Sequence, residues 1–160
     1  MKKQKIIIFF AISFFFLVSV YYINIYNCLN NKYSQLSCGY WHSLKLDKDG
    51  SVWAWGANWY GQLGNKSTND SSIPLKVLDL KDVISVSSGA FHNLALKKDG
   101  SVWAWGANIY GQLGINSDDL FRSYPIKISG LSNVIAISCG DSHNLALTSD
   151  GNVWRWGLNL

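Results

Sequence analysis

The sequence predicts an all-β chain of stacked, propeller-type blades, two complete and one partial, preceded by one N-terminal transmembrane or signal-anchor helix. Three observations predict it. A unit of about fifty residues recurs with its Trp, Gly and Asp-Gly positions in register, a period at which blades of four short strands are built. Eight Trp and 14 Gly stand against only two Pro, a balance suited to short strands and tight turns around large aromatic contacts. Residues 6–23, finally, form an uncharged and mostly apolar run.

That run is long enough, at ~1.5 Å per helical residue, to span a thin hydrocarbon core, with Tyr21 and Tyr22 at its interface. Residues 1–5 carry Lys2, Lys3 and Lys5 and read as a basic cytoplasmic end, and residues 24–32 as a linker. The positive-inside rule then places everything after residue 23 outside the cytoplasm, tethered by a single pass. A cleaved signal peptide, leaving a secreted chain, shares the basic start and apolar core. It needs small residues at its cleavage site, whereas Tyr21-Tyr22-Ile23 follows Val20 and bulky Tyr26-Asn27 precedes Cys28.

The repeats occupy residues 33–160, in units of about 33–82, 83–133 and 134–160. His42–Gly64 reads HSLKLDKDGSVWAWGANWYGQLG, and His92–Gly114 is identical except at 43/93, 45/95, 47/97 and 59/109. The third copy opens with HNLALTSDGNVWRWGLN from His143. In the middle unit the first strand is expected at Val83–Ser87, the second at His92–Leu96, and the third at Ser101–Trp105. The fourth is expected at Tyr124–Ile128, an edge strand because Pro125 cannot donate to a ladder. Asp99-Gly100 is a strong hairpin signal, since glycine tolerates positive φ. If Asp49-Gly50 is likewise a two-residue turn, Leu46 faces Trp53 and Leu44 faces Trp55, while Lys45 and Ala54 share the other face. One large and one small face would let blades interdigitate, and no blade buries both faces alone.

The pattern Gly-x-x-His-Ser/Asn-Leu…Asp-Gly-x-Val-Trp-x-Trp-Gly-x-Asn-x-x-Gly-Gln-Leu-Gly resembles the RCC1 (regulator of chromosome condensation) repeat, over the whole of residues 33–160. The resemblance implies a β-propeller, in that family usually of seven blades. It also implies, as an alternative activity, guanine-nucleotide exchange on a small GTPase, which requires a nuclear or cytosolic location. Fewer than three blades are present, so we expect either a truncated propeller or a piece that self-associates or pairs with other propeller chains. An incomplete ring exposes strand edges and a Trp-rich face.

Chemistry is sparse. Three of the 14 Lys and Arg precede the apolar run, so the remainder is close to neutral against 10 Asp and Glu. No basic stripe suggests a nucleic-acid partner. Cys28, Cys38 and Cys139 form no CxxC pair, and the two in register read as small residues packed beside a glycine. His42, His92 and His143 recur once per blade, as structural residues closing a turn rather than metal ligands. Asp49, Asp99 and Asp150 belong to the Asp-Gly turns. Asn65-Lys-Ser67 and Asn69-Asp-Ser71 are glycosylation sequons, meaningful in a eukaryotic host alone. Trp53, Trp55, Trp103, Trp105, Trp154 and Trp156 recur in register and read as packed core. Trp41 and Trp59, opposite Phe91 and Ile109, break the register and are the candidate partner contacts. The expectation is a non-enzymatic, exported, membrane-anchored protein-interaction module. No catalytic, cofactor or metal site is assigned, and the protein partner is unidentified.

Overall fold

A computed structural model describes residues 34–158. The predicted basic end, apolar segment 6–23, linker 24–32 and Cys28 lie outside the described residues, as do Asn159 and Leu160. Among the described residues no helix is long and apolar enough to cross a membrane.

The described chain is all-β, in three antiparallel sheets that follow the repeats. The first holds β1 (Gln35–Cys38), β2 (His42–Leu46), β3 (Val52–Gly56) and β4 (Ser71–Lys76), paired in that order. The second holds β5 (Val83–Ser88), β6 (His92–Lys97), β7 (Val102–Ala107) and β8 (Phe121–Lys127) in the same order. The third holds β9 (Val134–Cys139), β10 (His143–Thr148) and β11 (Val153–Gly157), with β10 central. Pro74 and Pro125 lie in β4 and β8, both edge strands, as a residue without an N–H requires. Strand ends shift by a few residues from expectation; β7 runs on through Gly106 to Ala107.

The hairpin turn corrects one expectation. Asp49-Gly50 is not a two-residue loop. The Asp47 N–H donates to Ser51 O at 2.8 Å and the Gly50 N–H to Asp47 O at 3.0 Å, closing a three-residue loop over Lys48-Asp49-Gly50. Gly50 takes φ 80°, the left-handed residue that ends such a turn. The same bonds recur at Lys97–Ser101 and Thr148–Asn152. One extra loop residue moves the register by one and changes every cross-strand partner. Leu46 pairs with Val52, Leu44 with Ala54, Lys45 with Trp53 and Ser43 with Trp55. The first two blades therefore each have a Leu-Val-Ala face and a Trp face, and the third a Leu-Val-Arg face and a Trp face, not mixed Leu-Trp pairs.

These two faces build the core. Leu44, Leu46, Val52 and Ala54 of the first blade share one buried cluster with Val86, Ala95 and Trp105 of the second. Leu94, Leu96, Val102 and Ala104 of the second share another with Ala146 of the third, against which Trp156 and Ile137 pack. The Leu face of one blade thus meets the Trp face of the next. Each large side chain so buried contributes about 2–3 kcal/mol.

The innermost strands add polar ties between blades. The Gln35 side chain exchanges two hydrogen bonds with the Val86 backbone, each of 3.0 Å. Ser37 Oγ accepts from the Ser88 N–H, and Ser87 Oγ from the Cys139 N–H, both at 2.9 Å. At the turns, the Tyr40 N–H donates to Ala90 O and the Ala90 N–H to Asp141 O.

Candidate protein-interaction surface

Each of the first two blades sends two loops to the same end of the stack, one before its second strand and one after its third. They are held together locally: the Ala57 N–H donates to Trp41 O at 2.8 Å and the Ala107 N–H to Phe91 O at 2.9 Å. Gly56 makes the approach close, at φ 110°, with a Cβ there only 2.3 Å from Trp41 O.

The loop after β3 is organised by buried Asn58. Its Oδ1 accepts from the Leu63 N–H, and its Nδ2 donates to Ser67 O and Asn69 O. Asn108 repeats the arrangement, accepting from Leu113 and donating to Asp119 O. Gln62 Oε1 accepts from the Tyr60 N–H, and Gln112 Oε1 from the Tyr110 N–H. The loop tips are therefore rigidly presented.

On this scaffold sits a cluster of aromatic side chains. Trp41 is 63% and Trp59 56% exposed, with Tyr40 and Tyr110 also exposed. Half-buried Phe91 is the hub. Its ring lies 5.7 Å from Tyr40 in an edge-on geometry, 5.5 Å from Tyr60 and 6.4 Å from Trp59. Trp41 joins this end through its carbonyl. The cluster spans the first two blades. At the third, the residues matching Tyr40-Trp41 and Ala90-Phe91 are Asp141-Ser142, so the surface turns polar. Tyr40 Oη donates to Asp141 Oδ2 at 2.7 Å across that boundary. That hydrogen bond, then the carboxylate's charge, raises the Tyr40 pKa. Wide, rigid aromatic area with polar handles is the chemistry of a protein contact. Of this cluster, sequence reasoning singled out Trp41 and Trp59, both exposed here, but not Tyr40, Tyr60 or Phe91, although Tyr60 and Tyr110 recur in register.

The histidines do more than close turns. His42 and His92 are buried, and each reaches across a junction: His42 Nε2 lies 2.7 Å from Asn93 Oδ1, and His92 Nε2 2.8 Å from Asn144 Oδ1. The asparagines donate in turn, Asn93 to Gln62 O and Asn144 to Gln112 O. Because each Oδ1 then faces the imidazole, Nε2 carries the ring proton. Burial lowers both pKa values, that of His92 to about 4. His143 is exposed. Asn93, Asn144, Gln62 and Gln112 were overlooked at the sequence level, although the change from Ser43 to Asn93 and Asn144 was visible.

The tryptophan expectation needs one correction. Trp105 is fully buried and donates to Gln62 O at 2.9 Å, and half-buried Trp156 donates to Gln112 O. Trp53, Trp55 and Trp103 are half-buried, but Trp154 is 51% exposed. Among the described residues it lies on an edge strand, β11, whereas β4 and β8 pair with the strands of Trp53 and Trp103. Cys139 packs as expected, with burial raising its thiol to about 12, whereas Cys38 is exposed on the open face of the first blade. Asp49, Asp99 and Asp150 do serve the turns: hydrogen bonds from Ser51, Ser101, and Thr148 with Asn152 hold their pKa values down. Among the described residues no three His, Cys, Asp or Glu side chains are grouped to hold a metal ion.

Two family models match, both described as the regulator of chromosome condensation (RCC1) repeat. One covers residues 49–96 and 99–147, the other 33–62 and 83–112. The human probable E3 ubiquitin-protein ligase HERC6 is 38% identical over 135 residues, 80% of this chain and 13% of that protein. The crystal structure of human WBSCR16 superposes with a TM-score of 0.71 at 32% identity, over 77% of this chain and 32% of that one. Prp20p from Saccharomyces cerevisiae, described as binding Gsp1p and histones, gives a TM-score of 0.66 at 33% identity, over 77% of this chain and 30% of that one. The chain spans less than a third of the length of each of these relatives.

Proposed function

This chain belongs to the RCC1 repeat family, and from that premise we propose that it is a non-catalytic protein-binding module whose contact surface is the aromatic loop end of its first two blades. The supporting observation is the Phe91-centred cluster, with Trp41 and Trp59 exposed on hydrogen-bonded loops. Large rigid aromatics lose little conformational entropy on binding and dominate interface energetics. Residues 6–23 tether the module to a membrane, with Lys2, Lys3 and Lys5 on the cytoplasmic side and the blades exposed outside.

A photo-crosslinking side chain placed at position 41 or 59 on intact cells is expected to give a discrete protein adduct. The same side chain at exposed Lys48, in a hairpin loop, should give none. Identical adducts from all three positions would discard the aromatic end as the contact surface.

A second reading, nucleotide exchange on a small GTPase, rests on the Prp20p likeness, since that protein is described as binding Gsp1p. Topology separates the two. A C-terminal tag on the membrane-bound chain should be cleaved by protease added to intact cells. Protection until lysis would place the blades in the cytosol and favour the exchange reading.

A further inference from the structure

The aromatic loop end has an electrostatic sign as well as a shape. Trp59, Tyr60 and Phe91 meet at the first junction, between two four-stranded blades. Tyr40, Tyr60 and Trp59 stand at 69°, 57° and 38° to Phe91, so no ring lies flat on the hub. The π faces carry partial negative charge and are left for a further group.

Formal charge of the same sign surrounds the rings. Among the described residues the loops of this end carry Asp70, Asp118, Asp119 and Asp141, against Lys66 alone. Lys66 is turned to Asp79 at 3.3 Å, and Arg122, at the start of β8, pairs with Asp119. Elsewhere in the blades Lys and Arg outnumber Asp, so the excess of carboxylates is local. Asp141 is exposed and meets Tyr40 Oη through one oxygen, Oδ2, and Tyr40 in turn reaches the Phe91 hub. A carboxylate therefore borders the rings.

These two features together select the chemistry of an occupant. A purely apolar side chain would gain from the rings but would cover Asp141 without pairing it, and an unpaired carboxylate is costly to bury. An anionic segment would be repelled by the loop carboxylates. An arginine satisfies both features, because its planar guanidinium stacks on aromatic faces and donates paired hydrogen bonds to a carboxylate. A lysine pairs as a point charge and has no flat group to stack.

We propose that this end binds a basic segment of its protein partner, and that one arginine of that segment lies against Trp59, Tyr60 and Phe91 with its guanidinium paired to Asp141. This rests on the reading of the loop end as the contact surface and adds the chemistry of what is bound there.

The full-length chain with a photo-crosslinking side chain at position 41, on intact cells, provides the test. N-acetyl-arginine amide in excess is expected to suppress the adduct. N-acetyl-citrulline amide, of nearly the same shape but uncharged, should not. Asp141→Asn keeps an acceptor for Tyr40 and removes the charge, and should lower the adduct yield about tenfold. Asp118→Asn removes as much charge from the same end and should change the yield less than about twofold. Phe91→Leu keeps an apolar side chain and loses the π face. It should lower the yield about fivefold, with circular dichroism checking that the variant is folded. An adduct that Asp141→Asn leaves unchanged, or that the citrulline compound suppresses as well as the arginine compound, overturns the arginine and leaves the contact surface in place. No adduct from the wild type removes the contact surface and the arginine with it.

Discussion

Replacing Trp105 by alanine is expected to lower the unfolding free energy by about 3–5 kcal/mol, the largest loss of any single substitution in the blades. Trp105 is the largest fully buried side chain. It shares one buried cluster with Leu44, Leu46 and Val52 of the preceding blade, and its indole N–H donates to Gln62 O. Truncation opens a cavity at the junction of two rigid sheets, which cannot collapse without breaking the strand-to-strand ties on either side. Two comparisons separate packing from hydrogen bonding. Trp105→Phe keeps most of the apolar contact and loses the donor. It should cost about 1–2 kcal/mol, because Asn93 still donates to the same carbonyl. Trp154→Ala, on the same face of its own blade but at the position of Trp103 and half-exposed, should cost less than about 1.5 kcal/mol. Urea denaturation followed by circular dichroism measures all three. Equal losses at 105 and 154 would mean that the junction is not where the blades gain their stability.

Acidification is expected to weaken the same junctions through His92. Its pKa is about 4 in the fold, against 6.5 for an ordinary imidazole. Burial is the main cause. The hydrogen bond to Asn144 opposes it in part, and the charges of His42 and His143 add to it. Between those two pH values the unfolded chain binds a proton that the folded chain refuses, so stability rises with pH across the window. The His92 contribution is complete above about pH 6.5, falls as the pH drops toward 4, and levels off below. At ~1.4 kcal/mol per pH unit, the gap is worth about 3 kcal/mol. His42, also lowered by burial, acts in the same direction. The turn carboxylates Asp49, Asp99 and Asp150 are lowered as well, but their contribution is lost at still lower pH, so the two effects separate. Thermal melting of the wild type and of His92→Gln between pH 4 and 7 tests this. The variant should show a distinctly flatter dependence. An equal slope in both would remove His92 as the source.

The strand register explains why these residues matter and why only part of the site was legible beforehand. Trp41 and Trp59 stood out because they depart from a repeat that is otherwise nearly invariant. A departure from the repeat is a signal that needs no coordinates. Tyr60 carried no such mark, since it recurs in register as Tyr110, and Phe91 entered only as the residue opposite Trp41. They become a surface because neighbouring blades bring the rings of Tyr40 and Trp59 within 6.4 Å of Phe91. The His42–Asn93 and His92–Asn144 pairs were hidden for the same reason, being separated by a whole repeat.

By itself the sequence determined the number of repeats, the order and approximate limits of their strands, the turns at Asp-Gly, and the edge placement of Pro74 and Pro125. All of these follow from local chemistry: periodicity, positive φ and a missing N–H. The tertiary structure alone decided which residues share a face. That choice hangs on one loop residue. The closing hydrogen bond from Asp47 to Ser51 and the left-handed Gly50 suit the twist of the hairpin, and they move Trp53 and Trp55 away from Leu44 and Leu46. From that single step in register come the Leu face, the Trp face and their mating across the junctions. A period-two pattern tells apart the two sides of a strand, but only the pairing of whole blades tells which side meets a neighbour.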